Sequence, residues 1–499
     1  MPEPDPGPSH GSCPEPDSGP SHGSCPEPSL ASNRPPASPA PSGPRLTARQ
    51  AIALLTADFT ELPTPQAESP ADGPLDWQGY GASVARAVEH TGEQESVVCG
   101  RSVIGGTAAV VISFEFGFLG GSLGTRTGAL IEAAHGHARE YRLPVVSLIA
   151  TGGSPMQEGM LALTQLQRAV RESALTAAAG LPQLAVLRDP ATGGGWATLG
   201  AGADMIVALP GAQVGFAGSR VRPADADPAA YTAEAQFASG HVDAVVRAED
   251  LRADVSLRLR LFTSAGSGLR APVPPAQGDM RLPESGWDAV EAARAPGRPR
   301  AEAYVDAYFT ERTTVSGDRC GGRDPGMLCG FGLRDGRTIA YAAQRGTATR
   351  PSGYRTAVRL MRLADRLGLP VLTLVDTPGA ANDAAAEAAG AASAVAELFA
   401  AVAMARVPVT TLLIGEGGSG GAPALAAPGN TWATPSSYFS VIAPELATAI
   451  LKRPAGPGHV RATADELRLS SQDLMDLGVV RGVVGAVRRL RPQRPREPA

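Results

Sequence analysis

The residues best placed to do chemistry in this 499-residue chain are glycines. Thr151-Gly152-Gly153 and Gly193-Gly194-Gly195 each follow an apolar run and precede a helical pattern. Backbone N–H groups at a helix start have no partner inside the helix, and the helix dipole favours negative charge there. Because glycine has no Cβ, a ligand can come close to those amides. Two such loops on neighbouring strands can aim their N–H groups at one oxygen, forming an oxyanion hole. Thr377-Pro378-Gly379 and Gly417–Gly421 offer the same device again.

The repetition has a fixed offset. Arg142–Gly153 (RLPVVSLIATGG) and Gly368–Gly379 (GLPVLTLVDTPG) align with Pro144 on Pro370, 226 residues apart. At that spacing Pro182 meets Pro408, Gly194-Gly195 meets Gly420-Gly421, and Ala217 of VGFAG meets Ala443 of SVIAP. Two halves sharing one architecture are therefore expected. A single Gly-rich loop is ordinary turn punctuation. Four of them in two matched pairs favour a pair of oxyanion holes.

Side chains offer few competing sites. Lys452 is the sole lysine, which excludes a P-loop lysine or a Schiff base elsewhere, and it lacks the Met-Lys-Met setting of a biotin-attachment site. Asp376-Thr377-Pro378-Gly379 looks like a GTPase loop, but no G-x-x-x-x-G-K-[ST] accompanies it. Gly193-Gly194-Gly195 lacks the spacing of a dinucleotide fold. The five cysteines form no C-x-x-C pair, so neither a zinc ribbon nor any other bound metal is expected. His135 and His137 are i, i+2 on a predicted helix, point apart, and are read as surface residues.

A formal charge of −5 gives no reason to expect nucleic-acid binding. No run reaches the roughly 18 apolar residues of a membrane span. No basic region followed by an apolar stretch opens the chain, so a cytoplasmic location is expected.

The elements that must hold the loops follow from periodicity. Residues 1–45 are rich in Pro, Ser and Gly, carry a tandem copy of DPGPSHGSCPEP, and are expected to be disordered. A helix is predicted over Leu46–Leu62 with Thr47 as N-cap, then a strand over Ala108–Phe118 and a helix over Gly124–Tyr141. Strands Val145–Ala150 and Leu184–Leu187 flank a helix starting at Pro155, with Met156, Met160, Leu163 and Leu166 on one face. Another helix starts at Trp196. The second half repeats the scheme: strand Thr338–Tyr341, helix Tyr354–Leu367, strand Val371–Val375, Ala-rich helix Ala384–Met404 and strand Val409–Ile414. Such alternation predicts an α/β protein with right-handed crossovers. The expected domains are 46–262 and 301–490, joined by a linker over 263–300 and followed by a tail, 491–499; the stretch Arg488–Arg496 that leads into it is basic and expected to be solvated.

Longer motifs give a specific resemblance. The first half resembles the beta subunit of bacterial acetyl-CoA carboxylase carboxyltransferase through FEFGFLGGSLGTRTG, ATGGSPMQEG, DPATGGGWATLG and VGFAGSRV. The second resembles the alpha subunit through GYRTAVRLMRLADRLGLPVLTLVDTPGA, IGEGGSGGAPAL and YFSVIAPE. The beta–alpha order is also similar to the single-chain acyl-CoA carboxylase carboxyltransferases. The resemblance implies a duplicated ClpP/crotonase-like superhelical α/β fold with two related domains.

It also implies transfer of a carboxyl group from carboxybiotin, supplied in trans on a biotin carboxyl carrier protein, to acetyl-CoA or another acyl-CoA. The product from acetyl-CoA is malonyl-CoA, for fatty acid or related biosynthesis. Biotin carboxylase is implied as a further partner, and a homodimer as the minimum assembly, with each site formed between the first domain of one protomer and the second of another. By the resemblance, Gly152, Gly153, Gly194 and Gly195 are catalytic on the acyl-CoA side, with Ser154 and Gly193 binding substrate. Gly420 and Gly421 are catalytic on the biotin side, with Gly379 and Ala422 beside them, and Arg345, Arg350 and Arg355 are candidates for CoA phosphates. A Gly194→Val change is expected to abolish turnover by blocking substrate approach.

The chain departs from that family in places. The zinc ribbon of the beta subunit has no counterpart, and the basic segment before GYR is reduced to Gln344–Gly353. After DTPGA the family's Tyr-Pro-Gly and Glu-Glu-Arg are replaced by Ala381-Asn382-Asp383 and Glu387-Ala388-Ala389. Two alternatives stand beside the main reading: a malonyl-thioester decarboxylase subunit, since the same oxyanion holes serve both directions, and a catalytically impaired structural subunit, since the loop Ala381–Ala389 is altered.

Overall fold

A computed structural model describes residues 45–64, 70–264 and 268–486. The predicted tail and all of the predicted leader except Arg45 lie outside the described residues.

The first half builds one mixed sheet. Its strands are β1 (Phe59–Glu61), β2 (Val97–Ile104), β3 (Thr107–Phe114), β4 (Val145–Thr151), β5 (Gln183–Thr192), β6 (Met205–Ala208), β7 (Val214–Gly215) and β8 (Ala244–Val245). They pair in the order β1-β2-β3-β4-β5-β6-β8, with β7 beside the far end of β5. The second half repeats this with β9 (Glu311–Val315), β10 (Met327–Arg334), β11 (Arg337–Gln344), β12 (Val371–Thr377), β13 (Val409–Gly418), β14 (Thr431–Ala433) and β15 (Tyr438–Ser440), ordered β14-β13-β12-β11-β10-β9 with β15 beside β13.

The registers match residue by residue. Val145 pairs with Gln183 and Val371 with Val409, a shift of 226 on both strands. Each pair breaks register at one equivalent place, between Ile149 and Thr151 and between Val375 and Thr377. A bulge re-aims the chain that leaves it, and here it turns both Gly-bearing loops out of their sheets. In the opening hairpins the shift is 230, since Cys99 pairs with Ile112 and Cys329 with Ala342. The second half therefore reaches its central strand by a crossover four residues shorter.

Local chemistry sets the ends of the elements. Thr47 caps helix Ala48–Leu55 in a capping box with Gln50. The helix ends well before the expected Leu62 because Thr56 turns extended: its hydroxyl donates to the Val103 carbonyl at 2.9 Å and accepts from Asp58 N at 3.0 Å. The Ala-rich segment forms two helices, Ala384–Ala388 and Ala391–Ala403, separated at Gly390 with φ +78°. Alanines show no periodicity that would betray the break. On helix Gly159–Ala178 the buried residues are Ala162, Gln165, Ala169, Glu172 and Thr176, whereas Met156, Met160 and Leu163 are exposed. The apolar face read from sequence is thus largely uncovered in the single chain.

One core runs through both halves. Val146, Leu148, Val186, Leu259 and Phe262 join Phe331, Tyr354, Val358 and Leu363 in it, with Phe262 edge-on to Phe331 at 4.9 Å. Each fully buried side chain of this size contributes about 1.5–3 kcal/mol. The segment read as a linker contains helix Gly286–Arg294, whose Ala289, Val290 and Ala293 pack against Tyr438, Ala464 and Leu469.

Candidate active site

The four glycine loops come together two by two. In the first half, Thr151 and Thr192 end β4 and β5, and the Thr192 hydroxyl donates to the Thr151 carbonyl at 3.0 Å. The Thr151 hydroxyl accepts the amide of Gly153 at 3.1 Å. Gly193 has φ +66°, and a Cβ there would stand 2.8 Å from the Cα of Gly153. Only glycine allows the loops this approach.

Hydrogen bonding sorts the candidate donors. The amide of Gly152 donates to Gly120 O at 2.8 Å, and that of Gly193 to Phe216 O at 3.1 Å. With Gly153 held by Thr151, these three amides are engaged within the chain. Gly194 and Gly195 instead stand in the first turn of the helical segment Gly193–Gly200, where no intrahelical acceptor exists. Ser154 lies at the rim, half-buried. The expected effect of Gly194→Val also changes. A Cβ on Gly194 would overlap Leu166 of the neighbouring helix, so that substitution strikes packing rather than substrate approach.

The second half reproduces the arrangement. The Thr377 hydroxyl accepts the Gly379 amide at 3.1 Å, the counterpart of Thr151 and Gly153. Gly379 O accepts from Thr349 N at 3.0 Å. Ser419 N donates to Ser440 O at 2.8 Å and Ala422 N to Gly418 O at 3.3 Å, which leaves the amides of Gly420 and Gly421 with no acceptor among the described residues. The Gly421 carbonyl is fixed from behind by Gln344 Nε2 and the Tyr354 hydroxyl, both at 3.2 Å. Among the described residues nothing stands within 4 Å of where a Cβ on Gly420 would lie, so this amide-bearing surface is left open by them.

The three arginines proposed for phosphates are all ion-paired. Arg345 pairs with Glu302 and donates to Pro325 O at 2.6 Å. Arg355 pairs with Asp318 at 2.7 Å and donates to Ala389 O at 3.0 Å. Arg355 also lines a cavity of about 470 Å³ with Arg319, Arg359, Arg362 and Arg366. The altered loop after DTPGA is ordered: Asp383 caps helix Ala384–Ala388 through Ala386 N at 2.9 Å and pairs with Arg350 at 3.0 Å.

Two features were not legible beforehand. Asp376, dismissed with the GTPase reading, is fully buried and bound to Arg298 at 2.6 Å. Burial raises its carboxyl above the usual range, and Arg298 pulls the other way. Its position just before Thr377 was a signal, but its partner lay in the presumed linker. His135, read as a surface residue, is fully buried, with Nδ1 3.0 Å from the Thr176 hydroxyl. His137 is half-buried. Among the described residues no cluster of three or more His, Cys, Asp or Glu could hold a metal, and no helix is long and apolar enough to cross a membrane.

Two related α/β sheets, each ending in a pair of glycine loops, define a duplicated crotonase-like carboxyltransferase fold. The solved transcarboxylase 12S shares it, with a TM-score of 0.72 at 19% identity over 91% of this chain and 92% of that one. A single-chain, multi-domain long-chain acyl-CoA carboxylase does so with a TM-score of 0.67 at 20% identity, over 88% of this chain and 44% of that one. Residues 74–245 match the family described as carboxyl transferase domain, and residues 282–489 the family described as acetyl co-enzyme A carboxylase carboxyltransferase-like.

The acetyl-coenzyme A carboxylase carboxyl transferase subunits beta/alpha of Saccharopolyspora erythraea are 36% identical over 83% of this chain and 75% of theirs. Those of Salinispora tropica are 37% identical over 88% and 82%. A probable biotin-dependent acyl-coenzyme A carboxylase beta3 subunit of Mycobacterium bovis is 33% identical over 81% and 83%. The chain belongs to the carboxyltransferase family of the biotin-dependent acyl-CoA carboxylases, with the beta-like and alpha-like parts fused in that order.

Proposed function

We propose that this carboxyltransferase carboxylates acetyl-CoA to malonyl-CoA, with Gly194 and Gly195 serving the acyl-CoA and Gly420 and Gly421 serving biotin. The observation that carries the reading is the sorting of amides: in each half the two glycines left without an acceptor are equivalent residues. The loop 417–422 has no charged side chain, Gly421 and Ala422 are buried, and the face of Gly420 is open. A neutral urea would meet no charged side chain from this loop, and its oxygen would find the two amides as donors.

Carboxybiotin on a carrier protein supplies the activated carboxyl group. The chain's own part is electrostatic. In the transfer the N–C bond to the carboxyl group would break and a C–C bond to the thioester α-carbon would form, with the displaced α-proton passing to the biotin nitrogen so freed; the negative charge that develops on the thioester carbonyl oxygen would be received by the amides of Gly194 and Gly195. Those of Gly420 and Gly421 would hold the ureido oxygen of biotin. One preorganised donor of this kind is worth about 10²–10³ in rate. No side-chain acid or base is needed. Gly152, Gly153 and Gly193 shape the wall of the first site, and Gly379 that of the second.

A homodimer completes the reading. Met156 and Met160 are 81% and 69% exposed beside the first site, and Leu446 and Ile450 stand exposed on helix Pro444–Ile450 after the second. Apolar faces of this kind mark interaction surfaces. Each site is assigned to the first half of one protomer and the second half of its partner.

The reading is tested by supplying biotin carboxylase, biotinylated carrier, ATP and bicarbonate and measuring malonyl-CoA; no product above a carrier-free control refutes it. A second arm gives malonyl-CoA with and without free biotin, since a decarboxylase subunit would consume it.

A further inference from the structure

Beneath the second glycine pair lies an ion cluster that the first pair does not share. Asp376 Oδ1 accepts from Arg298 Nη2 at 2.6 Å and from Glu416 N at 3.2 Å, while Arg300 Nη1 stands 3.5 Å from Oδ2. The Asp376 carbonyl accepts the amide of Gly346 at 2.7 Å. One buried residue thus ties the end of β12, the end of β13, the loop after β11 and the segment between the halves. Arg298 also reaches Ile414 O at 3.4 Å and donates to Ala293 O.

The surroundings are built for this cluster. A Cβ on Gly415 would overlap Asp376 Oδ1 and Arg298, and a Cβ on Gly346 would overlap Arg300. Both positions keep the space the guanidinium groups occupy. In the first half the residue equivalent to Asp376 is Ala150, whose side chain holds no charge. Arg298 and Arg300 set two cations against the one buried carboxylate and so offset its charge.

Resting on the biotin-side reading of Gly420 and Gly421, we infer that Arg298 and Asp376 are positioning residues for that site. The pair fixes the spacing between Thr377–Gly379 and Gly417–Gly421, and with Arg300 it keeps the ground beneath the loops from being anionic. The segment between the halves is then part of the active-site scaffold. Misplacement of catalytic groups by about 1 Å can cost around 10²-fold.

The test uses the full chain in the reconstituted carboxylation assay, with Arg298→Ala, Arg298→Lys and the milder Arg300→Ala. The expected result is a fall in kcat of about tenfold to a hundredfold for Arg298→Ala, with KM for acyl-CoA and the acyl-CoA dissociation constant unchanged. Partial recovery is expected in Arg298→Lys or on adding guanidinium at non-denaturing concentration. Arg300→Ala, which removes only a 3.5 Å contact, is expected to fold and to lose a smaller part of kcat. Full kcat in both alanine variants overturns the inference. So does a loss of kcat that tracks loss of fold and of acyl-CoA binding, with no recovery by lysine or guanidinium. A wild-type chain that transfers nothing would instead refute the biotin-side reading itself.

Discussion

Arg359 grips Asp243 with both ends of its guanidinium, each bond 2.9 Å long. The arginine lies on helix Pro351–Leu367 of the second half, and the carboxylate is fully buried in the first. Arg319 adds a third contact at 2.6 Å, and Arg359 also donates to Asp204 O at 2.8 Å. A bidentate pair fixes direction as well as distance. It therefore locks the orientation of the two sheets on which the glycine loops sit.

Breaking that lock should be costly. Arg359→Leu leaves Asp243 with one cation in place of two, and removal of one member of a buried pair costs about 3–5 kcal/mol. Denaturant unfolding of the purified chain measures it. Burial alone would raise the Asp243 carboxyl, but Arg319 and Arg359 pull it down to about 2. A carboxyl depressed from its usual 3.8 contributes stability that is complete above that value and is lost as pH falls towards 2. Stability of the wild type should fall across that window, and Asp243→Asn should flatten the slope.

His135 predicts a second, separate pH window. Burial, and then Arg139, lower its imidazole from 6.5 to about 4, with Glu172 acting weakly in the opposite sense. The unfolded chain therefore takes up a proton between pH 6.5 and 4 that the folded chain refuses. Stability should drop by up to about 3 kcal/mol across that range. His135→Gln should remove this dependence while leaving the window of Asp243 in place, as read by unfolding at several pH values.

Glycine substitutions should separate fold from function. Gly420→Val adds a side chain in open space, so its melting temperature should stay within a degree or two while turnover falls at least about 10²-fold. Gly194→Val drives into Leu166 and should lower both. Calorimetry beside the carboxylation assay distinguishes them. A Gly420→Val chain with wild-type turnover would remove Gly420 from the site.

The exposed apolar faces predict the assembly. Met160→Glu and Ile450→Glu, made separately, should each shift the chain to a smaller species in light scattering and reduce turnover with it. Both residues are already solvent-exposed in one protomer, so neither change should unfold it.

Much of this was legible in the sequence, and the misses share a cause. The offset between Pro144 and Pro370 gave the duplicated sheets, because strand register obeys the spacing of residues along the chain. The paired loops were visible because glycine clusters after apolar runs are local signals. What stayed hidden was long-range. Which amides were already engaged depended on Gly120 and Phe216, and the role of Asp376 depended on Arg298, 78 positions away. His135 looked like a surface residue because its helix is weakly amphipathic, but it shares a buried face with Gly128, Ile131 and Ala138 and meets Thr176 across the packing.

The most direct measurement is incorporation of labelled bicarbonate into acid-stable acyl-CoA by the complete reconstituted system. The account predicts labelled malonyl-CoA from acetyl-CoA, dependent on this chain, biotin carboxylase, biotinylated carrier and ATP, and lost in Gly420→Val. Label that accumulates on the carrier but never passes to any acyl-CoA, with a folded wild-type chain present, would contradict it.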